Sequence, residues 1–593
     1  MDPQLCPRVR EVTPKMNSLV ARNIVVDKIR DVERYVERLW RNSKDSLPED
    51  LKFQGLRRCT AKEQFRYLCS SGTNKQGTKM VFDLAPSDVF MTMLEFRWYG
   101  ALEPGAKYEP GKDYIVLRHP ILLPVVGQGG KMQIRGANFI ISPVLADPVI
   151  SYTKDMAFVM LPRDKITVRR LPFHFASNDS FDSFKMHYLS LPWAQMYHIP
   201  KPNKLNGDSI NHHAETTLGH YLFAKYGVTE SFKLFADAEC VIGRNLLEKD
   251  YPKENWVIYR SSGVVPKGFS TSRTGKSKTG LRYQRPDINI AVKRGGMERL
   301  VHGLVGSFIY LVDRYYDRFP VDYDVTEFAD DPRHWRTLLG LIIFNNNNGD
   351  AKLLRDINNH IHSLDRYVDE IQQKKFKQAG IPCDDIYEFM AYLIDNAAVE
   401  MARVDTTSMF GKELMVLDYV MEDIRKNIFK LGFNLITLER SKKQNNRRKM
   451  TNDEVLKYIR RQVATEAILS IQAGGDKREK VATSIGFPGD CMLFKVTSHV
   501  VLQSQNAGGA SLKDESRLIN ASIPIFGSYL NLPKSEPTGR QKFSSFAPVD
   551  ENGRLLEDPA VMDDYYATQE QLKKDVGRFD EEVIELGDND VNE

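Results

Sequence analysis

Apolar residues near the N-terminus recur at every third or fourth position. The repeating positions are Val26, Ile29, Val32, Tyr35, Val36 and Leu39. Charged side chains lie between them, so the segment has one apolar and one charged face, as is typical of an amphipathic helix. We therefore predict helical structure from about residue 15 to 70.

Between about residues 80 and 175 the apolar runs become short and rich in β-branched and aromatic residues. Glycine and proline separate them, a pattern typical of strands and turns. The runs are 82–84, 89–94, 114–117, 132–134 and 138–141. A strand-rich region is predicted here.

Helical spacing returns in the mixed block that follows. It predicts a helix from 297 to about 319, a second helical stretch over 353–371, and helical structure from 405 to about 471. A very basic segment, 440–449, interrupts the last of these. Helices and strands together predict a multidomain α+β protein.

The C-terminal region has a different composition. Residues 473–553 are rich in Gly, Pro, Ser and Asn, and irregular stretches of that length are usually functional or ordered by a partner. From Leu555 onward acidic residues dominate, and we predict a helix near 569–584 followed by an acidic tail.

Length and composition limit the class of protein. A chain of 593 residues is too long for one hydrophobic core, so about three to five folded units are expected. The 42% hydrophobic and 27% charged residues are typical of a globular protein, and the net charge of +5 is too small to indicate nucleic-acid binding by itself. No apolar run approaches the roughly 18–20 residues of a membrane span, and no signal peptide is apparent, so no membrane partner is expected.

Signatures of stand-alone enzymes are incomplete. Gly275-Lys276-Ser277 resembles the end of a phosphate-binding loop, but Ser270 stands where the first glycine belongs, and no helix pattern follows. The six cysteines form no CxxC pair, which disfavours a zinc ribbon and fits a reducing cytoplasm.

Candidate metal ligands also match no known spacing. The first group comprises His212, His213, Glu215 and His220. Asp287 and Lys293 resemble a portion of a metal-dependent nuclease core, but Ala291 replaces the second acid that this chemistry requires. A long chain without a catalytic constellation indicates a component of a larger assembly.

Residues 132–143 resemble a signature of the β subunits of multisubunit RNA polymerases. The matching positions are Gly136, Phe139, Ile140 and Ile141, whereas Ser142-Pro143 replaces the usual Asn-Gly. Residues 405–412, followed by a long helix, resemble the return of that subunit from its lobe into its protrusion. Gly411 and Lys412 match there, and Ser408-Met409 stands where Asp-His is usual.

The longest resemblance is to the fork region of the same subunit. It comprises 501–506, 516–524 and 548–553, in the family's order. The matching residues are Gln505, Asn506, Arg517, Ile519, Ala521, Pro524, Pro548 and Gly553. Asn520 and Ser522 depart from the pattern, which leaves sensitivity to rifamycin open.

The resemblance spans about residues 110–555 and stops where a full β subunit continues. It implies the N-terminal half of a β subunit that is split, as in giant (jumbo) bacteriophages of the phiKZ-like type. The implied domains are a first protrusion segment (1–175), the lobe (176–400), a second protrusion segment (401–475), the fork (476–555) and an acidic C-terminal tail (556–593).

The resemblance implies a non-catalytic-metal subunit of a DNA-directed RNA polymerase, a nucleotidyltransferase that transcribes phage genes. This subunit would form one wall of the DNA channel and the fork beside the active centre. It would bind no cofactor itself, and the catalytic Mg²⁺ would be held by a partner chain. Implied partners are the β C-terminal half, β′-like subunits, double-stranded DNA template and RNA product. The implied location is the cytoplasm of the infected bacterial host, with a phage-made compartment or packaging in the virion left open.

Two sets of candidate site residues follow. Residues of the fork near the active centre are Gln503, Gln505, Asn506, Arg517, Asn520, Asp550 and Glu551. Candidate phosphate-binding residues lie in two basic segments, since lysine and arginine supply non-specific grip on nucleic acid. They are Lys267, Arg273, Lys276, Lys278, Arg282, Arg285, Arg440, Lys442, Lys443, Arg447, Arg448 and Lys449.

Two other classes of protein stay open at this point. A stand-alone metal-dependent nucleic-acid-processing enzyme would use His213, Glu215 and Asp287, and would act without partners. A phage structural or DNA-packaging protein would self-assemble and co-purify with no large polymerase subunits.

Overall fold

The structure is a computed structural model that describes much of the chain between residues 32 and 463 and short pieces beyond. The described residues are 32–42, 47–64, 89–100, 113–125, 132–134, 137–141, 144–146, 149–152, 156–161, 165–178, 186–196, 215–262, 286–344, 350–403, 408–410, 412–415, 417–444, 450–463, 481–483, 493–498, 522, 526, 540–544 and 555.

Helices and strands are mixed along the chain, which confirms the predicted α+β content. The helices are α1 Val32–Asn42, α2 Leu218–Tyr226, α3 Val228–Ala236, α4 Glu298–Tyr315, α5 Val325–Asp330, α6 Pro332–Phe344, α7 Asp350–Leu364, α8 Glu370–Gln378, α9 Ile386–Arg403, α10 Leu417–Gln444 and α11 Asn452–Gln462.

The strands have between three and 13 residues, and nearly all pair in antiparallel fashion. They are β1 Leu51–Arg58, β2 Val89–Trp98, β3 Ile115–Pro124, β4 Met132–Ile134, β5 Ala137–Ile141, β6 Val144–Ala146, β7 Ile150–Tyr152, β8 Met156–Met160, β9 Lys165–Ser177, β10 Met186–Met196, β11 Glu215–Thr217, β12 Cys240–Arg244, β13 Trp256–Ser261, β14 Ile288–Lys293, β15 Glu413–Met415, β16 Val481–Thr483, β17 Leu493–Ser498 and β18 Arg540–Ser544.

The chain divides into two compact units. Residues Val149–Asp405 form a continuous unit, called here the inserted unit. Met1–Pro148 and Thr406–Glu593 together form the other, called here the split unit. The inserted unit therefore interrupts the sequence of the split unit.

The antiparallel sheet β1-β2-β3 in the split unit has one face covered by α1. Trp40 of α1 is fully buried, and its ring contacts Phe53 at 5.6 Å and Phe96 at 5.1 Å between centroids. Residues 51–58, predicted as helix, form strand β1, so that prediction was wrong. The alternation of apolar Leu51 and Phe53 with polar neighbours has the period of two that a strand requires.

The inserted unit contains an antiparallel sheet with the order β11-β10-β9-β13-β14-β12, to which β7 and β8 are added beside β9. Helix α4 contacts strands β9, β10 and β13, and also helices α2, α3 and α9. Leu304, Val305 and Phe308 are fully buried, since α4 has neighbours on opposite sides. The predicted helix 297–319 is confirmed over Glu298–Tyr315.

Aromatic rings form the centre of the helical region of the inserted unit. Trp335 is fully buried, with ring centroids of Phe223 at 5.4 Å and of Phe308 and Phe319 at 6.0 Å. Its indole Nε1 donates a hydrogen bond of 2.6 Å to the carbonyl of Ala329. The apolar rings and the satisfied indole together make this side chain a central packing element.

Acidification is expected to destabilise both units, because buried histidines must be protonated on unfolding. Burial lowers the pKa of His119 and of His334 to about 4, and that of His220 to about 3. The unfolded chain binds these protons below a pH of about 6.5, whereas the folded chain does not until the pH approaches the lowered values. The free energy of unfolding therefore falls as the pH drops from about 6.5 to 4, by up to about 1.4 kcal/mol per pH unit for each histidine.

Urea unfolding of the His119→Gln variant between pH 4.5 and 7 checks this expectation. Glutamine does not titrate, so the pH dependence of the split-unit transition should become shallower by up to about 1.4 kcal/mol per pH unit. His362→Gln is the matched control, because the His362 side chain is 63% exposed. Equal slopes for the wild type and His119→Gln would contradict the prediction.

Candidate nucleic-acid interface

Strand pairing in the split unit brings the first resembling segment to the C-terminal region of the chain. Strands β4 and β5 lie within residues 132–143, and β5 pairs with β16 so that Ile141 is opposite Val481. The next strand, β6, pairs with β15 in antiparallel fashion and with β17 in parallel fashion. Sequence segments more than 260 residues apart therefore share sheets.

The second and third resembling segments also meet. The backbone N–H of Met409 donates a 2.9 Å hydrogen bond to the hydroxyl of Ser522, and both residues are buried. The rings of Phe410 and Phe526 are 5.7 Å apart in an edge-to-face arrangement, and Phe526 is fully buried.

A backbone contact extends the same cluster toward the acidic end of the chain. The N–H of Leu555 donates a 2.9 Å hydrogen bond to the carbonyl of Lys412, and Leu555 is buried. We call the residues of this cluster the junction: Met409, Phe410, Lys412, Ser522, Phe526 and Leu555. The three segments that carry the polymerase resemblance thus belong to one unit, and the second and third are in contact.

The candidate fork residues lie outside the described residues, so their predicted roles stay predictions. They are Gln503, Gln505, Asn506, Arg517, Asn520, Asp550 and Glu551. Sequence reasoning missed the junction itself and treated Ser522 only as a departure from the family pattern. The apolar Ile523, Ile525 and Phe526 in an otherwise polar stretch were the available signal of a buried anchor.

The second basic segment falls at the connection between α10 and α11. Helix α10 continues to Gln444, past Arg440 and Lys442, so the helix extends further than the basic interruption suggested. The ammonium group of Lys442 donates to the carboxylate of Glu454. A phosphate contact by Lys442 would therefore compete with this ion pair. The Lys443 side chain, Arg447, Arg448, Lys449 and the whole first basic segment, from Lys267 to Arg285, lie outside the described residues.

Helix α11 begins with a capping box and ends with exposed arginines. The Thr451 hydroxyl accepts from the backbone N–H of Glu454, and the Glu454 carboxylate accepts from the backbone N–H of Thr451. Burial alone would raise the pKa of Glu454, but hydrogen bonds from Lys442 and Thr451 outweigh it and lower that pKa. Arg460 and Arg461 are exposed in the last turn, where positive charge complements the helix dipole.

The C-terminal end of α11 is fixed to strand β3. His119 is buried, and its Nε2 donates a 2.5 Å hydrogen bond to the carbonyl of Val463. Val455 and Ile459 are fully buried on the same helix. These contacts orient α11 so that its basic C-terminal turn stays exposed beside a fixed sheet.

The candidate metal and nuclease residues of the inserted unit have structural partners. The Nδ1 of His220 is 2.8 Å from the Thr216 hydroxyl, and its Nε2 donates to the Trp335 carbonyl at 3.0 Å, so both nitrogens are engaged. These partners give His220 a structural role in the core, in keeping with a spacing that matches no known metal site. His212, His213 and the Glu215 side chain lie outside the described residues.

Asp287 and Lys293 belong to separate ion pairs at opposite ends of β14. The Asp287 carboxylate accepts from Arg244 at 2.7 Å and from the Tyr316 hydroxyl at 2.7 Å, and Lys293 pairs with Glu239 at 2.9 Å. Among the residues that the structure describes, no group of three His, Cys, Asp or Glu residues is placed to hold a metal ion. No described helix is long and apolar enough to cross a membrane.

The contact between two resembling segments and the exposed basic turn of α11 both fit a component of a transcribing assembly. The model of the family described as "Non-virion RNA polymerase subunit" matches residues 105–570, and the chain belongs to that family. It is thus a phage RNA polymerase subunit that acts in infected cells and has other polymerase subunits as partners. Membership of this family favours a polymerase subunit over the alternative of a structural or DNA-packaging protein. No curated protein shows significant similarity to the chain.

Proposed function

We propose that this chain is the N-terminal half of a split β-type subunit in a multisubunit, DNA-directed RNA polymerase of a phiKZ-like giant phage. In the assembled enzyme it forms one wall of the DNA channel and carries the fork beside the active centre. The catalytic Mg²⁺ belongs to a partner chain, and the β C-terminal half completes the subunit.

The junction carries this proposal. Two segments that resemble separate regions of a β subunit are distant in sequence, yet Met409 of one bonds to Ser522 of the other, and Lys412 bonds to Leu555, two residues beyond the last resembling stretch. A chance resemblance of these two segments gives no reason for such contacts. Asn520 lies two residues before Ser522, and Glu551 lies four residues before Leu555, so candidate fork residues flank the junction in the sequence.

The division into two units also supports the proposal. A unit built from two separate segments of the chain, with a continuous unit between them, has the same order as a protrusion interrupted by a lobe. Such a subunit would act through steric and electrostatic contacts with template and RNA, with no need for sequence readout.

A crosslinking experiment on the assembled polymerase tests the proposed position of the fork. Elongation complexes would carry RNA with a photoreactive nucleotide at the 3′ end, and crosslinked peptides would be identified by mass spectrometry. We expect adducts in residues 501–526. RNA with the photoreactive nucleotide 15 or so positions upstream is the matched control and should not label this segment. A complex that lacks the chain, or 3′-end adducts confined to other subunits, would refute the proposal.

A further inference from the structure

On one face of the β1-β2-β3 sheet, two cations pack against two neighbouring tyrosines that flank the strand ends. The Lys52 ammonium lies 5.2 Å from the centre of the Tyr99 ring, and the Arg97 guanidinium lies 4.8 Å from the centre of the Tyr114 ring. The two tyrosine rings are 5.5 Å apart. We call these four residues the cation–tyrosine row.

The row lies on the face opposite α1. Lys52 and Arg97 are direct cross-strand partners, whereas Phe53 and Phe96, the next pair along, contact Trp40 of α1. Successive residues of a strand point to opposite faces, so the aromatic core and the cations are separated by the sheet. The row is thus backed by a buried core that holds its strands in place.

Two like charges stand directly opposite each other in the row. Such cross-strand pairs are unfavourable unless another group compensates them. The described residues provide no carboxylate partner for Lys52 or Arg97, and the buried Nε of Arg97 has no hydrogen-bond partner among them. Contacts with the tyrosine faces stabilise the cations only in part, so the pair is well suited to an added anion.

Neighbouring charges on the same face are already paired. The Glu95 carboxylate accepts from Nε of Arg57 and from Nε of Arg118, each at 3.0 Å. Glu63 accepts from the terminal nitrogens of Arg57 at 2.6 and 2.9 Å. These carboxylates balance Arg57 and Arg118, whereas Lys52 and Arg97 form no ion pair with the described residues.

We propose that the cation–tyrosine row binds the backbone of a nucleic-acid strand within the polymerase. Lys52 and Arg97 contact a phosphate, and the Tyr114 ring, which is 45% exposed, stacks against the adjoining base or sugar. Combined aromatic and cationic contacts favour a single strand, because its bases are free to stack. This inference rests on the proposed function, because it needs the chain to work inside a transcribing complex.

Binding of a labelled single-stranded oligonucleotide to the assembled polymerase tests the row. Fluorescence anisotropy would be measured over a range of salt concentrations for Lys52→Gln, Tyr114→Leu and the control Lys249→Gln, which removes an exposed lysine from the inserted unit. Lys52→Gln should reduce the slope of log K against log salt by about 0.7. Tyr114→Leu should weaken binding about 5-fold or more, the loss of one stacked base. Lys249→Gln should match the wild type.

A second measurement identifies the occupant directly. An oligonucleotide with 5-iodouracil would be crosslinked to the polymerase, and we expect adducts on Tyr114. Wild-type affinity and salt slope for both row variants, or a protein subunit crosslinked at Tyr114 in place of the oligonucleotide, would overturn the inference. Labelling of residues 501–526 by the RNA 3′ end together with unaffected row variants would leave the proposed function intact and remove only the row. If the row variants bind more weakly but the RNA 3′ end does not label residues 501–526, the row binds nucleic acid and the proposed position of the fork is wrong.

Discussion

Phe526→Ala is expected to reduce transcription by the assembled polymerase at least about 10-fold. The Phe526 ring is fully buried against Phe410, and truncation of a buried phenylalanine to alanine typically costs about 3–5 kcal/mol. This contact joins the segment with the candidate fork residues to residues 405–412, which resemble the return from the lobe into the protrusion. Because about 1.4 kcal/mol already changes an equilibrium ten-fold, the arrangement that positions the proposed fork should become a minor state. Promoter-independent RNA synthesis on a primed template measures the effect.

Phe526→Leu is the matched control for this prediction. Leucine keeps most of the apolar volume, so activity should remain close to that of the wild type. The amount of chain in the purified complex, measured by gel filtration and mass spectrometry, separates loss of activity from loss of assembly. Full activity of a correctly assembled Phe526→Ala polymerase would contradict a role for the junction in positioning the proposed fork.

Trp335→Ala is expected to destabilise the inserted unit by about 3–5 kcal/mol. The substitution removes a fully buried ring that contacts Phe223, Phe308 and Phe319. It also removes the Nε1 donor and so leaves the Ala329 carbonyl without this partner. Since whole domains are stable by only about 5–15 kcal/mol, much of the margin of this unit should disappear. Urea unfolding of the full chain, followed by protease susceptibility within residues 149–405, measures the loss.

Trp335→Phe separates packing from hydrogen bonding. Phenylalanine keeps an aromatic ring but has no donor for Ala329, so a smaller destabilisation is expected than for alanine. Equal urea midpoints for the alanine variant and the wild type would show that the aromatic cluster is not the main core of the unit.

The spacing of apolar residues predicted several elements, because which side of a helix or strand is buried shows in the sequence of that element alone. The run at 89–94 lies within β2, the run at 114–117 overlaps β3, and α4 was predicted nearly to its ends. The stretch 353–371 failed as a single helix, since Asp369 caps the new helix α8 by accepting from the N–H of Gln372. An N-cap inside a continuous apolar pattern is easily missed.

Residue types alone did not reveal which polar side chains make buried hydrogen bonds that stabilise the fold. His220 looks like a ligand in the sequence, yet its two partners, Thr216 and the Trp335 carbonyl, come from positions 4 and 115 residues away. The Met409–Ser522 bond spans 113 residues, and no local pattern predicts a contact over that distance. The cation–tyrosine row was missed for the same reason, because β1 was predicted as helix and its register with β2 was therefore not considered.

The split unit has a consequence for the order of events on the ribosome. Strands β5 and β6 emerge early, but their partners β15, β16 and β17 follow only after the inserted unit, residues 149–405, has been translated. At about 5–20 residues per second, translating those 257 residues takes roughly 13–50 s. During this delay the early strands lack the neighbours that complete their sheets, and unpaired strands promote aggregation. The yield of this subunit should therefore depend on host chaperones that shield nascent chains. That dependence should be stronger than for a subunit made of contiguous domains.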